Sequence, residues 1–211
     1  MLQNSLFQEE RLGNNSLLLP VNMLVEGATD EPVARRLLEH VGLVAGIVYG
    51  SRGKGLLLKR LPGYNQAARF TPWFVMIDLD NDATCVSDAL RIWLPNPETN
   101  MRLRVAVRSV EAWLLADREH LASFLHVAPS RLPHNPDREI NPKQTLIDIA
   151  RTSTDGNVRR DFVPRQESGA RVGPLYANRL NEFTMKYWQP EEAARRSESL
   201  RRCIASLSTL K

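Results

Sequence analysis

The feature that most constrains the fold is an uninterrupted apolar run, Trp73 to Ile77, which ends directly on Asp78. A short apolar run bounded by Pro72 on one side and by acids on the other predicts a strand that is covered on both faces. Strands of this kind belong to parallel sheets with helices packed on both sides. The chain is therefore predicted to be an α/β protein.

The segments around this run repeat the alternation of strand and helix. "LLLPVNMLVEG" and "AGIVYG" predict strands, "TDEPVARRLLEHVG" lies between them with helical spacing, and "MRLRVAV" predicts a strand that passes into helix near Glu111. We expect a mainly parallel, Rossmann-like sheet flanked by helices. Residues 1–17 are predicted to be a tail, 18–127 the α/β domain, and 128–211 a helical extension packed on the same domain.

Two C-terminal helices are predicted, from "LYANRLNEFTMKYW" and from "PEEAARRSESLRRCIASLSTL", and a shorter one begins at Pro142. The polar stretch 153–173 between them predicts irregular structure.

Composition places the chain in a reducing compartment. Its cysteines are Cys85 and Cys203, far apart and without metal-ligand spacing, so a disulfide scaffold is not expected. No apolar run approaches the roughly 18–20 residues of a membrane-spanning helix, and the N-terminus lacks the pattern of a secretory signal. A cytoplasmic protein with no membrane partner is predicted.

Charge is distributed unevenly. Residues 1–149 hold 16 Lys and Arg against 17 Asp and Glu, a net of −1, whereas residues 150–211 hold 12 against 7, a net of +5. A basic C-terminal third suits a polyanionic partner, and it equally suits a solvated basic helix face.

Acidic residues follow two of the predicted strands. Glu26 follows the first strand, and Asp78, Asp80 and Asp82 follow the Trp73–Ile77 run. Ligands of open parallel sheets bind beyond the carboxyl ends of the strands, so these acids converge if the two strands are neighbours. Two like charges about 4 Å apart repel by about 4 kcal/mol at an effective dielectric near 20, so such a cluster favours a bound cation. Carboxylate oxygens without His or Cys suit Mg²⁺, Mn²⁺ or Ca²⁺ rather than zinc. A site of this kind is typical of phosphoryl transfer or phosphodiester cleavage.

Each acid also has a simpler interpretation. Asp30 could be a helix N-cap, Asp82 a loop residue or the cap of the next helix, and Glu111 a helix-surface acid or a partner for Arg108. Gly27, next to Glu26, permits a close backbone approach or a positive φ.

Three segments together carry a family resemblance. "LVEGATDE", then "MIDLDND", then "RSVEAWLLAD" resemble the TOPRIM superfamily of topoisomerases, primases and OLD-type nucleases, and most closely a small TOPRIM-like family found beside ATPases in bacterial anti-phage defence loci. The resemblance implies Glu26 as metal ligand or general base, Asp78 and Asp80 as metal ligands, Glu111 as a further acid of the site, and Asp30 at an acidic position that OLD-type nucleases use for metal.

The segment "SRGKG" is a candidate phosphate loop. Its glycines would let the backbone approach an anion while Arg52 and Lys54 neutralise it, although a flexible surface loop explains it equally well.

The function predicted from these features is a Mg²⁺- or Mn²⁺-dependent nuclease. It would act on DNA or RNA without sequence specificity, in anti-phage defence, with an AAA/ABC-type ATPase as possible partner. The alternatives are a non-catalytic TOPRIM-fold subunit that docks on an ATPase, and a primase-like nucleotidyltransferase.

Overall fold

A computed structural model of the chain describes residues 19–50, 53–80 and 85–210, so the predicted tail, 1–17, lies outside the described residues. Four parallel strands form one sheet in the order β2-β1-β3-β4. The strands are β1 (Val21–Val25), β2 (Ala45–Gly50), β3 (Trp73–Asp78) and β4 (Met101–Ala106). The predicted fold class, a mainly parallel Rossmann-like sheet with flanking helices and a helical C-terminal part, is confirmed.

Helices connect the strands and fill the C-terminal part. The helices are α1 (Asp30–His40), α2 (Lys54–Ala67), α3 (Val86–Trp93), α4 (Val110–Ala116), α5 (Arg118–Phe124), α6 (Pro142–Arg151), α7 (Gly156–Phe162), α8 (Tyr176–Lys186), α9 (Pro190–Ala194) and α10 (Glu198–Leu207).

Strand β3 is buried on both faces, as its apolar run predicts. Successive side chains of a strand point to opposite faces. Phe74 and Met76 accordingly join the core beneath α1 and the C-terminal helices, while Val75 and Ile77 join the core beneath α2. The first of these cores is continuous from β1 to α10, so the α/β part and the C-terminal helices share buried side chains.

Three details of the C-terminal half differ from the prediction. Stretch 153–173 is not wholly irregular, because it contains α7, with Val158 and Phe162 buried in the core. The helical segment predicted near Glu111 is divided into α4 and α5 at Asp117. The buried carboxylate of Asp117 accepts the Gln189 N–H at 2.8 Å. The last predicted helix is divided into α9 and α10 at Ser197, whose side chain accepts the Leu200 N–H and caps α10.

No helix among the described residues combines the length and the apolar character needed to cross a membrane.

One glycine is required by the packing of β2 against β1. Gly50 ends β2 with φ +105°, and a Cβ built on it would lie 2.1 Å from the carbonyl oxygen of Val25. Only a residue without a side chain allows both the backbone angle and this close approach. Gly50 thus fixes the point where the chain leaves the sheet for the "SRGKG" segment.

The variant Gly50→Ala is expected to lower the free energy of unfolding by about 2 kcal/mol or more, because it combines a left-handed backbone with a clash against a strand carbonyl. Urea unfolding measures this loss. Gly63→Ala is the matched control: Gly63 is exposed on α2 with nothing within 4 Å of its added Cβ, so it should be neutral or gain up to about 1 kcal/mol. Equal effects of the two substitutions would contradict this account of the β1–β2 packing.

Candidate functional site

The candidate site lies where the strand order reverses. From β1 the chain proceeds to β2 on one side, and from β3 it proceeds to β4 on the other, while β1 and β3 are hydrogen-bonded neighbours with Val25 paired to Met76. Outside the carboxyl ends of two such strands, open α/β sheets have a crevice that binds ligands. Glu26 follows β1 and Asp78 ends β3, so the condition for the acids to converge is met.

Asp78 is the centre of the acidic cluster. Its Oδ1 accepts the N–H of Val110 at 3.1 Å, which ties the start of α4 to the end of β3. Its pKa is raised well above the ordinary value, first because the protein displaces water from the carboxylate and then because other acids repel its charge. These acids, in decreasing order of effect, are Asp30, Glu111, Glu26 and Asp80. Five carboxylates that are dispersed in the sequence therefore interact at one edge of the sheet.

Asp30 is buried, with 5% of its surface exposed, and turns back toward the end of β1. Its Oδ2 accepts the Gly27 N–H at 2.7 Å. Loss of hydration, together with repulsion from Glu111 and Glu26, raises its pKa to about 6 despite this bond. Thr29, rather than Asp30, is the residue before α1, and its hydroxyl caps no helix N–H.

Gly27 does not have a positive φ, which was one of the two reasons for expecting glycine there. A Cβ on Gly27 would meet the Asp30 carboxylate at 3.6 Å, an ordinary contact. The role of this position in the structure is its N–H, which any residue except proline supplies.

Glu111 is buried to 1% exposure, so its interpretation as a helix-surface acid is wrong. The Tyr176 hydroxyl donates to its Oε1 at 3.1 Å, and the Lys143 ammonium lies 3.4 Å from the same oxygen. Burial and the neighbouring carboxylate raise the pKa of Tyr176, which keeps its hydroxyl protonated as a donor. Both partners come from the C-terminal helices. Trp113 and Leu114, which follow Glu111 in the motif, belong to the core.

Asp80 lies at the open side of the cluster, with about half of its side chain exposed. Lys54 Nζ donates to its Oδ2 at 2.6 Å, and the Arg108 guanidinium donates to its backbone carbonyl at 2.8 Å. Asp80 and Arg108 both have left-handed backbones, with φ of 51° and 67°, and the Asp80 N–H donates to the Arg108 carbonyl. Such conformations cost about 1–3 kcal/mol each and concentrate at functional sites.

The candidate phosphate loop is adjacent to the acids. The Gly53 N–H donates to the Glu26 carbonyl at 3.3 Å, and Gly53 itself has φ +85°. The loop therefore returns from β2 to the end of β1 and brings Lys54 to Asp80. Arg52 and Asp82 lie outside the described residues.

The acids interact, yet they do not form a finished metal cage. Within residues 19–50, 53–80 and 85–210, no three or more His, Cys, Asp or Glu side chains are grouped so that they could hold a metal ion. The donors that are present are carboxylate oxygens, the ligands preferred by Mg²⁺ and Mn²⁺. Mg²⁺ needs only one or two protein carboxylates when water and substrate phosphates complete its shell, so the donor set fits a metal that binds together with substrate.

A cleft of about 740 Å³ opens beside Asp78 and Asp80. Its other charged lining residues, among those that the structure describes, are cations: Arg108, Lys143, Arg151 and Arg171. A smaller cavity, of about 210 Å³, lies between β2 and α2 beside Leu57 and Tyr64, and none of its described lining residues is acidic. The larger cleft is therefore the candidate site.

No motif in the sequence indicates Lys143, Tyr176 or Arg171 at this site. Lys143, Arg171 and Tyr176 follow Glu111 by 32, 60 and 65 residues, and none forms a motif with its neighbours. For Arg171 the basic C-terminal third was the available signal, and it could not distinguish this residue from solvated arginines.

No protein-family model matches the chain, and no curated protein or solved structure matches it either. The likeness to the TOPRIM superfamily therefore rests on the three motifs.

The variant Asp30→Asn should reduce the pH dependence of stability. A carboxyl whose pKa rises from 3.8 to about 6 on folding binds its proton more tightly in the folded state. The stability linked to Asp30 is therefore fully present below about pH 4 and declines as the pH rises to about 6, by up to about 3 kcal/mol. The amide cannot ionise and keeps an oxygen for the Gly27 N–H. The difference in stability between variant and wild type should therefore favour the variant more at pH 8 than at pH 4.

Urea unfolding with EDTA at about pH 4 and about pH 8 measures this difference. Asp88→Asn, which changes an exposed acid on α3, serves as the control and should track the wild type. A stability difference between Asp30→Asn and wild type that is the same at both pH values would contradict the assignment.

Proposed function

We propose that the chain is a TOPRIM-like, divalent-metal-dependent nuclease that hydrolyses nucleic-acid phosphodiesters. The observation that carries the proposal is the convergence of five carboxylates, centred on Asp78, at the point where the strand order reverses. The order of the three motifs along the chain supports the same conclusion. Structural acids are normally paired or solvated, whereas here Asp78 and Asp30 both have raised pKa values.

The carboxylates would hold Mg²⁺ or Mn²⁺. In this proposal Asp78 and Asp80 are the main ligands, Glu26 is a ligand or a general base, and Asp30 adds charge behind them. When bound, the metal ion would offset the repulsion among the acids and polarise the phosphodiester as a Lewis acid.

The remaining residues position the acids and the substrate. The Val110 N–H fixes one oxygen of Asp78, and the Gly27 N–H fixes one oxygen of Asp30. Tyr176 orients Glu111 at the back of the cluster. Lys54 neutralises Asp80 in the absence of substrate, and in this proposal its ammonium moves to a phosphate oxygen when substrate binds. Arg52 is proposed to act beside Lys54.

A second candidate function is supported by the two lysines. Lys54 pairs with Asp80 and Lys143 with Glu111, so two of the five acids already have cations from the chain itself. A cluster neutralised in this way could bind without cutting, as in a TOPRIM-fold subunit that docks on an ATPase. An ATPase partner, a role in anti-phage defence and a cytoplasmic location remain proposals that derive from the family resemblance and from the two distant cysteines.

Cleavage with Mg²⁺ or Mn²⁺ separates the two functions. Purified protein should cut plasmid or single-stranded DNA or RNA when the metal is added and should be inactive in EDTA. Asp78→Asn keeps the shape of the side chain and an acceptor for the Val110 N–H, and it should lower the rate about 100-fold or more, which corresponds to about 3 kcal/mol.

Asp88→Asn is the matched control and should cut like the wild type. Absence of cutting by the wild type on every substrate and with either metal would favour the binding subunit. Cutting that survives Asp78→Asn unchanged would remove Asp78 from the site.

A further inference from the structure

The 740 Å³ cleft is lined by charged residues of both signs. The acids, Asp78 and Asp80, come from the end of β3. Three of the cations come from the C-terminal part of the chain: Lys143 from the first turn of α6, Arg151 from its last residue, and Arg171 from the segment between α7 and α8. The structure thus places part of the basic C-terminal third, Arg151 and Arg171, in the same cleft as the acids.

These three cations are available to a ligand at little cost. Arg171 is exposed and makes no ion pair within the part of the chain that the structure describes. Arg151 pairs with Asp148 at 2.8 Å, but both side chains are more than half exposed. Exposed pairs contribute only about 0–1 kcal/mol, so a phosphate could replace Asp148. Lys143 is half exposed and lies 3.4 Å from Glu111, so its ammonium faces both the acids and the cleft.

A polyanion that approaches Asp78 and Asp80 is repelled unless cations hold it. A metal ion could neutralise the phosphate that is cut, whereas the phosphates on either side need a separate counter-charge. Lysine and arginine contacts to phosphate provide this charge and position the strand without reading its sequence.

We infer that Lys143, Arg151 and Arg171 form a phosphate-binding wall that holds the nucleic-acid backbone next to the phosphodiester at Asp78 and Asp80. The inference adds a substrate-binding surface to the proposed function. It rests on that function for the claim that a phosphodiester lies at Asp78 and Asp80. The ligand of the wall is a run of consecutive backbone phosphates, of either sugar type and any sequence. A compact polyphosphate has the same charge chemistry and lacks the length of such a run.

Binding without cutting tests the wall. The whole chain is titrated into a fluorescein-labelled single-stranded 12-mer in EDTA, and anisotropy gives Kd at several salt concentrations. The wild-type log Kd should depend steeply on log salt, with a slope of about 0.7 for each phosphate neutralised on a single strand. Arg151→Gln combined with Arg171→Gln should weaken binding about tenfold or more at low salt and lower that slope by about 1.4.

The matched control is Arg201→Gln combined with Arg202→Gln. These arginines on α10 are also exposed and paired with an acid, Glu198, so the control removes the same charge away from the cleft. It should change Kd by less than about twofold. Unfolding of all three proteins in urea establishes that they are folded alike.

Three outcomes would overturn the wall: no binding of the 12-mer by wild type, equal weakening by the wall and control variants, or no effect of the wall variant. Inorganic tripolyphosphate that competes as well as unlabelled 12-mer at equal phosphate concentration would overturn the nucleic-acid backbone as its ligand.

The wall and the nuclease can fail independently. If the wall variant binds normally while the wild type cuts and Asp78→Asn does not, the wall is wrong and the nuclease proposal stands. If the wall variant loses binding but the wild type never cuts, the wall stands and the nuclease proposal fails.

Discussion

Repulsion among carboxylates at the edge of the sheet is the constraint on which the other features of the site depend. Parallel pairing of β1 and β3 brings Glu26 and Asp78 to the same edge, and Asp30 and Glu111 interact with them there. Loss of hydration and mutual repulsion raise the pKa of Asp78 and bring that of Asp30 to about 6. The folded state therefore disfavours the ionised form of both carboxyl groups. Backbone N–H groups, a tyrosine hydroxyl and two lysine ammonium groups each offset part of this cost.

This constraint gives the C-terminal helices a function beyond packing. They share one core with β1 and α1, and they supply Tyr176 and Lys143 to Glu111. Glu111, the first residue of "EAWLLAD", is therefore held by residues that follow it by 32 and 65 positions. In our account the C-terminal part also binds the substrate backbone, whereas the edge of the sheet supplies the acids proposed to bind the metal.

The elements that were predictable are those with a local cause. An apolar run predicted β3, and helix start signals predicted α1 and the beginning of α6. The order of the acids along parallel strands predicted the edge of the sheet where they meet.

The break at Asp117 was not predictable, because the Gln189 N–H that this carboxylate accepts is 72 residues away. Helix α7 was missed because only Val158 and Phe162 in its polar stretch are core residues. The Lys54–Asp80 pair was not predictable, because the "SRGKG" segment indicates a phosphate ligand for Lys54 and carries no sign that Asp80 lies beside it.

The central claim is that these acids form one pocket that captures a hard dication. Anomalous scattering from crystals soaked in Mn²⁺ tests it most directly, because the signal locates the ion without relying on activity. The account predicts a manganese peak in contact with Asp78, reduced when Mg²⁺ competes and absent from crystals of Asp78→Asn. Crystals saturated with Mn²⁺ that have no peak at this edge of the sheet, with Lys54 still bound to Asp80, would contradict it.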